Sequence, residues 1–480
     1  MHIIQLSAEC YPVAKAGGLG DVVGALPKYL TKKKGVKSWV VMPKYDNEWM
    51  NNHRFKTVFE GDAPLGNEFF HYTVEEEVEQ TLGFPLYVVN IPGRFDRPGI
   101  YIDPSSGYAY WDELERFMSF QIAALEWIKN FSEKPDVIHC HDHHAGLVPF
   151  MMTNCFRFND LESIPTVLTV HNGQYHGEHD MQKYGLLPAF DLNNIGLLEW
   201  NNKLCSLAAG VKCAWKVTTV SPSYMDELMH NSNGMEWLFQ HESQKCEGII
   251  NGIDVNVWDP DSDPLVDHHF SVDSYKKGKS DNKKVLCERF GLNPDLPLFS
   301  FIGRLVEEKG ADLLPDLIKH FLNNNQKVNF VILGTGDPAL HDIFNHMKSN
   351  YMGFFDASLE YNEKLAHQIY AGSDFIMMPS RVEPCGLNQM YAMRYGSIPV
   401  VRSVGGLKDT VVDLSKKDGY GIRFDDFTLE AAIHAVDRGR ELYEDQSLFD
   451  SVRKKIMELD FSWNASASHY IEMYTALIES

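Results

Sequence analysis

The chain has 480 residues, and at roughly 100–200 residues per domain this length favours two or three domains over one. Its 44 lysines and arginines against 66 aspartates and glutamates give a net charge of −22, which disfavours nucleic acid or an anionic membrane as the main partner. Hydrophobic residues make up 44% of the chain, which is typical of globular domains and excludes disordered and fibrous classes.

The amino-terminal segment predicts a strand, not a signal peptide, because it lacks a basic region and reaches Glu9 before any long apolar stretch. No run approaches the ~18 apolar residues that a membrane helix needs. The eight cysteines are scattered and form no C-x-x-C pair, which is typical of a reducing compartment. We therefore expect a cytoplasmic protein with mostly inert thiols.

Short apolar runs recur through the first half of the chain and predict strands buried on both faces of a parallel sheet. They cover 3–9, 38–43, 85–91, 135–141, 165–171 and 216–222, with predicted helices at 111–131, 143–158 and 198–214. This alternation of strand and helix is typical of a doubly wound α/β domain.

A polar stretch at 258–284 then interrupts the pattern, and its segment DPDSDP (259–264) is interpreted as a solvated linker. Strands resume at 297–304, 329–336, 374–380, 398–406 and 420–426. The sequence thus predicts two Rossmann-like α/β domains, joined near 247–260 and facing a central crevice. Ligands of such sheets bind beyond the carboxyl ends of the strands, so the residues after each strand are the candidates for function.

The loop after the first strand carries Lys15 close to Gly17 and Gly18, at the start of a predicted helix. Paired glycines let backbone amides approach an anion, and an anion would explain a cation at the positive end of a helix. A tight turn beside a solvated lysine explains the same residues equally well.

The second domain repeats this pattern, with Arg304 at a strand end and Lys309 at the start of the next predicted helix. Cations at such a junction in both domains suggest one polyphosphate held between them. The alternative is a pair of ordinary surface cations.

After the strand at 374–380, Pro384 and Gly386 shape a turn and a helix is predicted to begin near Gly386. Amides at such a helix start, those of Gly386, Leu387 and Asn388, offer another anion or hydroxyl site. Glu383 precedes them, and its carboxylate either caps the helix or accepts hydrogen bonds from sugar hydroxyls.

The cluster HCHDHH (139–144) resembles a metallohydrolase motif, but Asp142 follows His141 directly and the spacing fails. His139 and His141 alternate at a strand end and are expected to share one face. A catalytic or substrate-binding histidine is therefore favoured over a metal ligand, and no metal site is predicted.

Taken together, these residues resemble the bacterial glycogen synthase and plant starch synthase family of retaining glycosyltransferases with the GT-B fold. The resemblance runs along nearly the whole chain. It rests on K-x-G-G-L-x-D-V (15–22), YAYWDELERF (108–117), HCHDHHAG (139–146), TVHN (169–172), NGID (251–254), Arg304 with Lys309, GDP (336–338), PSRVEPCGLNQMY (379–391), GGLKDTV (405–411) and FSW (461–463). Many retaining GT-B enzymes carry a second glutamate eight residues after the first. This chain has Tyr391 at that position, as the glycogen and starch synthases do.

The resemblance implies domain and site assignments. An acceptor-side domain spans 1–250 and is completed by a carboxyl-terminal helix at 461–480, and a nucleotide-sugar domain spans 257–459. The catalytic set is Lys15, His141, Arg304, Lys309 and Glu383. The donor-binding set is Gly18, Tyr361, Gly386 and Leu387, with Tyr361 stacking on the base, and the sugar or acceptor side holds Asp21, Asp112 and Asn251.

The implied activity is transfer of glucose from ADP-glucose or UDP-glucose to the non-reducing end of an α-1,4-glucan, with retention of configuration. No cofactor, metal, nucleic acid or membrane is expected to take part. Two other classes stay open from the residues alone: a metal-dependent hydrolase built on HCHDHH, and a two-lobed sugar-binding protein.

Overall fold

The structure, a computed structural model, describes residues 1–480. It divides into two compact units. The first comprises 1–220, 225–249 and 463–480, and the second comprises 221–224 and 250–462. None of the helices combines the length and apolar character that spanning a membrane requires.

Twelve strands and seven α-helices lie before residue 249. The strands are β1 (His2–Leu6), β2 (Lys37–Pro43), β3 (Phe55–Leu65), β4 (Glu68–Glu77), β5 (Leu86–Asn90), β6 (Val137–His141), β7 (Thr166–Val170), β8 (Glu178–Asp180), β9 (Glu199–Trp200), β10 (Lys203–Cys205), β11 (Lys216–Thr219) and β12 (Cys246–Gly248). The helices are α1 (Gly18–Thr31), α2 (Glu48–Asn52), α3 (Glu113–Lys129), α4 (Val148–Asn154), α5 (Ser206–Cys213), α6 (Pro222–Leu228) and α7 (Glu236–His241).

The main sheet of the first unit has the strand order β12-β11-β7-β6-β1-β2-β5-β4-β3. The strands from β12 to β5 are parallel, and the β3–β4 hairpin adds an antiparallel edge. Ile4 of β1 lies opposite Trp39 of β2 and Ile138 of β6. Because β1 has neighbours on both sides that follow it in the chain, the strand order reverses at β1, and a crevice opens at its carboxyl end.

The second unit holds a six-stranded parallel sheet in the order β15-β14-β13-β16-β17-β18. Its strands are β13 (Leu298–Ile302), β14 (Asn329–Leu333), β15 (Phe355–Ser358), β16 (Phe375–Met378), β17 (Ile398–Arg402) and β18 (Ile422–Phe424). Its helices are α8 (Tyr275–Phe290), α9 (Leu314–Asn323), α10 (Pro338–Asn350), α11 (Glu363–Gly372), α12 (Asn388–Arg394), α13 (Gly405–Thr410), α14 (Leu429–Glu444) and α15 (Gln446–Met457). Here the order reverses at β13, which lies between β14 and β16.

The last helix, α16 (Trp463–Glu479), belongs to the first unit although the chain reaches it from the second. Its Tyr470 and Tyr474 are buried in one apolar cluster with Leu26 of α1 and Ile3 of β1. The Tyr474 hydroxyl also lies 2.7 Å from Nδ1 of His139 on β6. The helix is thus anchored to the sheet by burial and by a buried hydrogen bond.

Two predicted helices differ from the structure. The helix predicted over 198–214 is wrong in its first half, where β9 and β10 form a small sheet with β8, and α5 begins only at Ser206. The helix predicted over 143–158 is broken into a 3₁₀ turn, α4 and a second 3₁₀ segment. At Gly146, between the first 3₁₀ turn and α4, a Cβ would lie 2.4 Å from the Ser206 carbonyl oxygen, so this backbone packs closely against the start of α5.

Within the polar stretch at 258–284, the interpretation of 259–264 as a solvated linker is wrong. Asp263 is 2% exposed and accepts hydrogen bonds from His367 and Tyr395. The α8 helix begins inside this stretch, and it buries Lys279 and Lys283. Lys283 Nζ lies 2.7 Å from Asp374, so the buried face of α8 is held by charge pairing, which an apolar periodicity cannot reveal.

Candidate active site

Three of the predicted site residues of the second unit follow the two strands at its point of reversed order. Arg304 and Lys309 come after β13, and Glu383 comes after β16. Since β13 and β16 are parallel neighbours, their carboxyl ends open at the same edge of the sheet. This is the edge at which doubly wound sheets bind ligands.

The structure joins Lys309 to Glu383 directly. The Lys309 ammonium donates to both carboxylate oxygens of Glu383 at 2.8 Å, and the Ser380 hydroxyl donates to Oε2 at 3.0 Å. Glu383 is only 7% exposed, so its charge is held by these donors. The sequence placed Lys309 at the start of a helix, whereas it ends the 3₁₀ turn Glu307–Lys309.

Two glycines fix the backbone around this ion pair. Gly310 has φ +68°, and a Cβ there would lie 2.0 Å from the Pro379 carbonyl oxygen. Gly405 has φ +43°, and a Cβ there would lie 2.0 Å from the carbonyl oxygen of Glu383 itself. A side chain at either position would displace the segment that carries Glu383.

Arg304 is the more accessible cation of this edge. Its side chain is 64% exposed, and its nearest carboxylate, Glu308, is 3.6 Å away. Such an exposed pair contributes little energy, so the guanidinium can reorient toward a ligand at small cost.

The turn after Glu383 presents Gly386, which has φ +72°, and Leu387 ahead of α12. The helix begins at Asn388, slightly later than predicted, and the Asn388 side chain donates to the Ile302 carbonyl at the end of β13 at 2.7 Å. The neighbouring Cys385 is buried, and burial raises the pKa of its thiol to about 12, so the thiol stays protonated at neutral pH.

Two further predicted residues of the second unit differ in accessibility. Tyr361 follows β15 and is 84% exposed, which suits a ring that stacks on a ligand. Asn251 is 6% exposed, and its side-chain oxygen has no hydrogen-bond partner. A buried polar atom without a partner is costly, and it marks Asn251 as a candidate contact for a ligand hydroxyl.

In the first unit, Glu9 organises the loop that carries Lys15. Its Oε2 accepts hydrogen bonds from the amides of Ala16 at 2.6 Å and Gly17 at 2.9 Å, and its Oε1 accepts one from Tyr101 at 2.6 Å. Sequence reasoning missed this role, although an acidic residue just beyond an apolar strand was an available signal.

Gly17 and Gly18 lie at the start of α1, and a Cβ at either position would meet no atom within 4 Å. The space beside them is therefore open. Lys15 Nζ lies 2.7 Å from Asp21 in the first turn of α1. Burial raises the pKa of Asp21, and the Lys15 ammonium opposes that rise.

His141 lies at the end of β6 within a buried chain of side chains. Its Nδ1 is 2.9 Å from Nε2 of His171, and its Nε2 is 2.8 Å from Oε1 of Gln5. The His139 ring stacks on it with centroids 4.3 Å apart, so the two histidines share a face as expected. Burial lowers the pKa of His141 well below its ordinary value, which keeps the ring neutral.

Asp112 lies just before α3 and is completely buried. Arg97 donates to both of its oxygens at 2.8 Å, and Arg94 approaches at 3.3 Å. Burial alone would raise the pKa of Asp112, but the guanidinium groups hold it below the ordinary value. In this conformation its carboxylate binds arginines and presents no surface to an acceptor.

The structure therefore brings Lys309 together with Glu383, and Lys15 together with Asp21. Within the first unit, it does not join His141 or Asp112 to the Lys15–Asp21 pair, because both are held in other buried networks.

Comparison with known proteins covers the whole chain. Residues 2–241 match the family model described as starch synthase catalytic domain, and residues 283–447 match that of glycosyl transferases group 1. A glycogen synthase of Flavobacterium johnsoniae is 47% identical over 100% of both chains, and one of Streptococcus pneumoniae is 36% identical over 100% of both.

Two solved structures of glycosyl-transferring enzymes are similar to this chain along its whole length. The catalytic domain of starch synthase IV from Arabidopsis thaliana, bound to ADP and acarbose, superposes with a TM-score of 0.86 at 30% identity, covering 100% of this chain and 99% of that one. Sucrose-phosphate synthase from Thermosynechococcus elongatus has a TM-score of 0.61 at 16% identity, over 100% and 99% of the two chains, which shows the fold alone.

Two Rossmann-like units with parallel sheets, each carrying a cation at its point of reversed strand order, define a glycosyltransferase of the GT-B fold. The chain belongs to the bacterial glycogen synthase and starch synthase family.

Proposed function

We propose that this protein transfers glucose from ADP-glucose to the non-reducing end of an α-1,4-glucan, with retention of configuration. Family membership supports the reaction class, and the ADP named with the Arabidopsis relative supports the adenine nucleotide. The observation that carries the proposal is the Lys309–Glu383 ion pair at the strand edge where a nucleotide sugar is expected.

In the proposed reaction, the bond from the anomeric carbon to the diphosphate oxygen breaks and a bond to a glucan hydroxyl oxygen forms, while the hydroxyl proton leaves with the diphosphate. Negative charge grows on the leaving group, and fixed donors stabilise it most in the transition state. Lys309, Arg304 and Lys15 supply positive charge for this purpose, and the amides of Gly386 and Leu387 supply hydrogen bonds. These donors take the place of a divalent metal, so no metal cofactor is proposed.

The remaining assignments are proposals of the same kind. Glu383 accepts hydrogen bonds from the donor glucose, Asn251 contacts the sugar, and Tyr361 stacks on the base. The amide of Gly18 and the carboxylate of Asp21 act with Lys15. Since His141 and Asp112 are buried, we propose that they position the loops around them.

The proposal extends to the acceptor side and the compartment. The first unit serves the glucan acceptor and the second serves the nucleotide sugar, without nucleic acid or membrane. Eight free cysteines are compatible with the reducing cytoplasm, which we propose as the site of action.

The test is a parallel assay of ADP-glucose and UDP-glucose with glycogen, following nucleoside diphosphate release and labelled glucose incorporation. We expect both signals together, faster with ADP-glucose, and new linkages that an α-1,4-specific glucanase digests. A reaction without glycogen is the control and should release little diphosphate. Release without incorporation, or a faster reaction with UDP-glucose, would overturn the corresponding part of the proposal.

A further inference from the structure

A second cluster of chemically reactive side chains lies in the first unit, outside the residues assigned above. Glu113 is the first residue of α3, and His143 and His144 begin the 3₁₀ turn after β6. One ligand atom from each of the three lies within 4.8 Å of the other two. His143 Nε2 and Glu113 Oε1 are already 3.6 Å apart.

Two nitrogens of this cluster have no hydrogen-bond partner. Nδ1 of His143 and Nδ1 of His144 are both buried and unpaired, and His144 is only 6% exposed. The His144 ring stacks on Tyr101 with centroids 4.6 Å apart and meets the edge of Phe117, which holds it in place. A buried imidazole nitrogen without a partner carries a desolvation cost that a bound ligand would relieve.

The surroundings leave room for an ion and water. A cavity of about 260 Å³ is lined by Glu113 and His143 together with Gln174, Tyr175, His176, Gly177, Glu178 and Asn233. A Cβ at Gly177 would lie 2.6 Å from Cδ2 of His143, so this glycine lets the imidazole reach the cavity. The side chains of Glu113 and His143 are 26% and 11% exposed, which gives the cavity access from solvent.

We propose that Glu113, His143 and His144 form a binding site for one divalent transition-metal ion of the zinc class. Two imidazoles and one carboxylate are the ligand set that such ions prefer, with water completing the coordination. Ligand atoms of a tetrahedral zinc ion lie about 3.4 Å apart at bond lengths near 2.1 Å. His143 Nε2 and Glu113 Oε1, which are 3.6 Å apart, are already close to that separation.

The ion would tie the start of α3 to the turn after β6. The proposed site does not include His139 and His141, the histidine pair considered in the sequence. The rings of that pair already have hydrogen-bond partners, which are Tyr474, Thr169, His171 and Gln5. The site is independent of the proposed transfer reaction, which needs no metal. Its failure would leave that reaction untouched.

The experiment is a titration of the metal-free full-length protein with CoCl₂ and with ZnCl₂. We expect one equivalent of Co²⁺ to give the intense visible absorption of a four- or five-coordinate ion, and Zn²⁺ to displace it and to raise the melting temperature. Glu113→Gln and His143→Asn should each weaken Zn²⁺ binding by at least ~10-fold in calorimetry. His230→Asn, at an exposed histidine that bonds only a backbone carbonyl in the first unit, is the matched control and should bind as the parent does.

The variants are first compared with the parent by circular dichroism and melting without metal, and a misfolded variant is replaced by Glu113→Asn or His143→Gln. No stoichiometric binding by the parent, or a weak six-coordinate cobalt spectrum, would overturn the site. Equal Zn²⁺ affinity in the parent and in folded Glu113 and His143 variants would also overturn it.

Discussion

Lys309 and Glu383 form a symmetric ion pair, with the lysine ammonium 2.8 Å from each carboxylate oxygen. The two residues are 74 positions apart in the chain, and they meet because they follow neighbouring parallel strands. Each holds the other in a mostly buried position that a donor phosphate and sugar would share. A cation fixed in this way needs no reorganisation when charge develops on a leaving group.

Glu383→Gln is expected to separate sugar recognition from nucleotide recognition. It should lower kcat/KM for ADP-glucose by ~10²-fold, because the carboxylate that is proposed to accept hydrogen bonds from the donor glucose is lost. Calorimetry should show binding of ADP alone changed by less than about threefold. Glu430→Gln, at an exposed glutamate of α14, is the control and should leave kcat/KM and ADP binding unchanged. Equal losses of ADP binding and turnover would contradict the assignment to the sugar.

Lys15→Ala tests the first unit's cation. Turnover should fall by ~10²-fold, while the glucan concentration for half-maximal rate changes little, because leaving-group charge appears mainly in the transition state. Lys56→Ala, at an exposed lysine of β3, is the control. A Lys15→Ala enzyme with nearly full turnover would refute the role of Lys15 at the diphosphate.

Activity is expected to survive exhaustive treatment with EDTA. The reason is that, in the proposed reaction, lysines, an arginine and backbone amides supply the charge stabilisation that other transferases obtain from Mg²⁺. Diphosphate release is measured before and after chelation, and after adding back MgCl₂. Complete loss on chelation, with recovery on adding one equivalent of a divalent ion, would contradict the metal-free mechanism.

The buried histidines predict a pH-dependent stability. Burial lowers the pKa of His139 from 6.5 to about 3, so the unfolded chain binds a proton in this interval that the folded chain does not. The free energy of unfolding therefore falls as the pH drops below about 6.5, by up to ~1.4 kcal/mol per pH unit from this residue.

His139→Gln removes the titrating ring and isolates that contribution. At pH 7.5 the variant should be less stable by ~1 kcal/mol, since the hydrogen bonds to Tyr474 and Thr169 are weakened. In urea unfolding, the difference in the free energy of unfolding between the parent and His139→Gln should become smaller from pH 6.5 to pH 5. The control is His230→Gln, which alters an exposed ring that bonds only a backbone carbonyl, and its unfolding is measured over the same pH range. If the stability difference between the parent and His139→Gln does not change with pH, the His139 ring is not buried in its neutral form.

Much of this architecture could be predicted because parallel strands buried on both faces are continuously apolar. The runs that became β1, β6, β13 and β16 are of this kind, and they located the loops that carry Lys15, Arg304, Lys309 and Glu383. The β3–β4 hairpin and β15 were missed. The β3 strand is largely exposed and alternates weakly, and β15 alternates Asp356 and Ser358 with its two apolar residues, so neither is a continuous apolar run.

Buried polar side chains explain the other differences between the sequence predictions and the structure. The α8 helix was not predicted because lysines hold its inner face, with Lys279 donating to the Tyr370 carbonyl and Lys283 paired with Asp374. The role of Glu9 depends on two loop amides whose approach only the folded chain defines. The resemblance placed Asp112 on the sugar or acceptor side, but the carboxylate is held by Arg94 and Arg97, which come from a loop whose path no local pattern fixes.

Fixed cations are proposed to stabilise the departing diphosphate, and this role is measured by the steady-state kinetics of Lys309→Ala with ADP-glucose and glycogen. We expect kcat to fall by ~10²-fold or more, with little change in the dependence of the rate on glycogen concentration. Lys319→Ala, which removes an exposed lysine 3.5 Å from Asp316, should leave kcat unchanged. A folded Lys309→Ala enzyme that keeps its kcat, or one whose only defect is a higher KM for glycogen, would contradict this role.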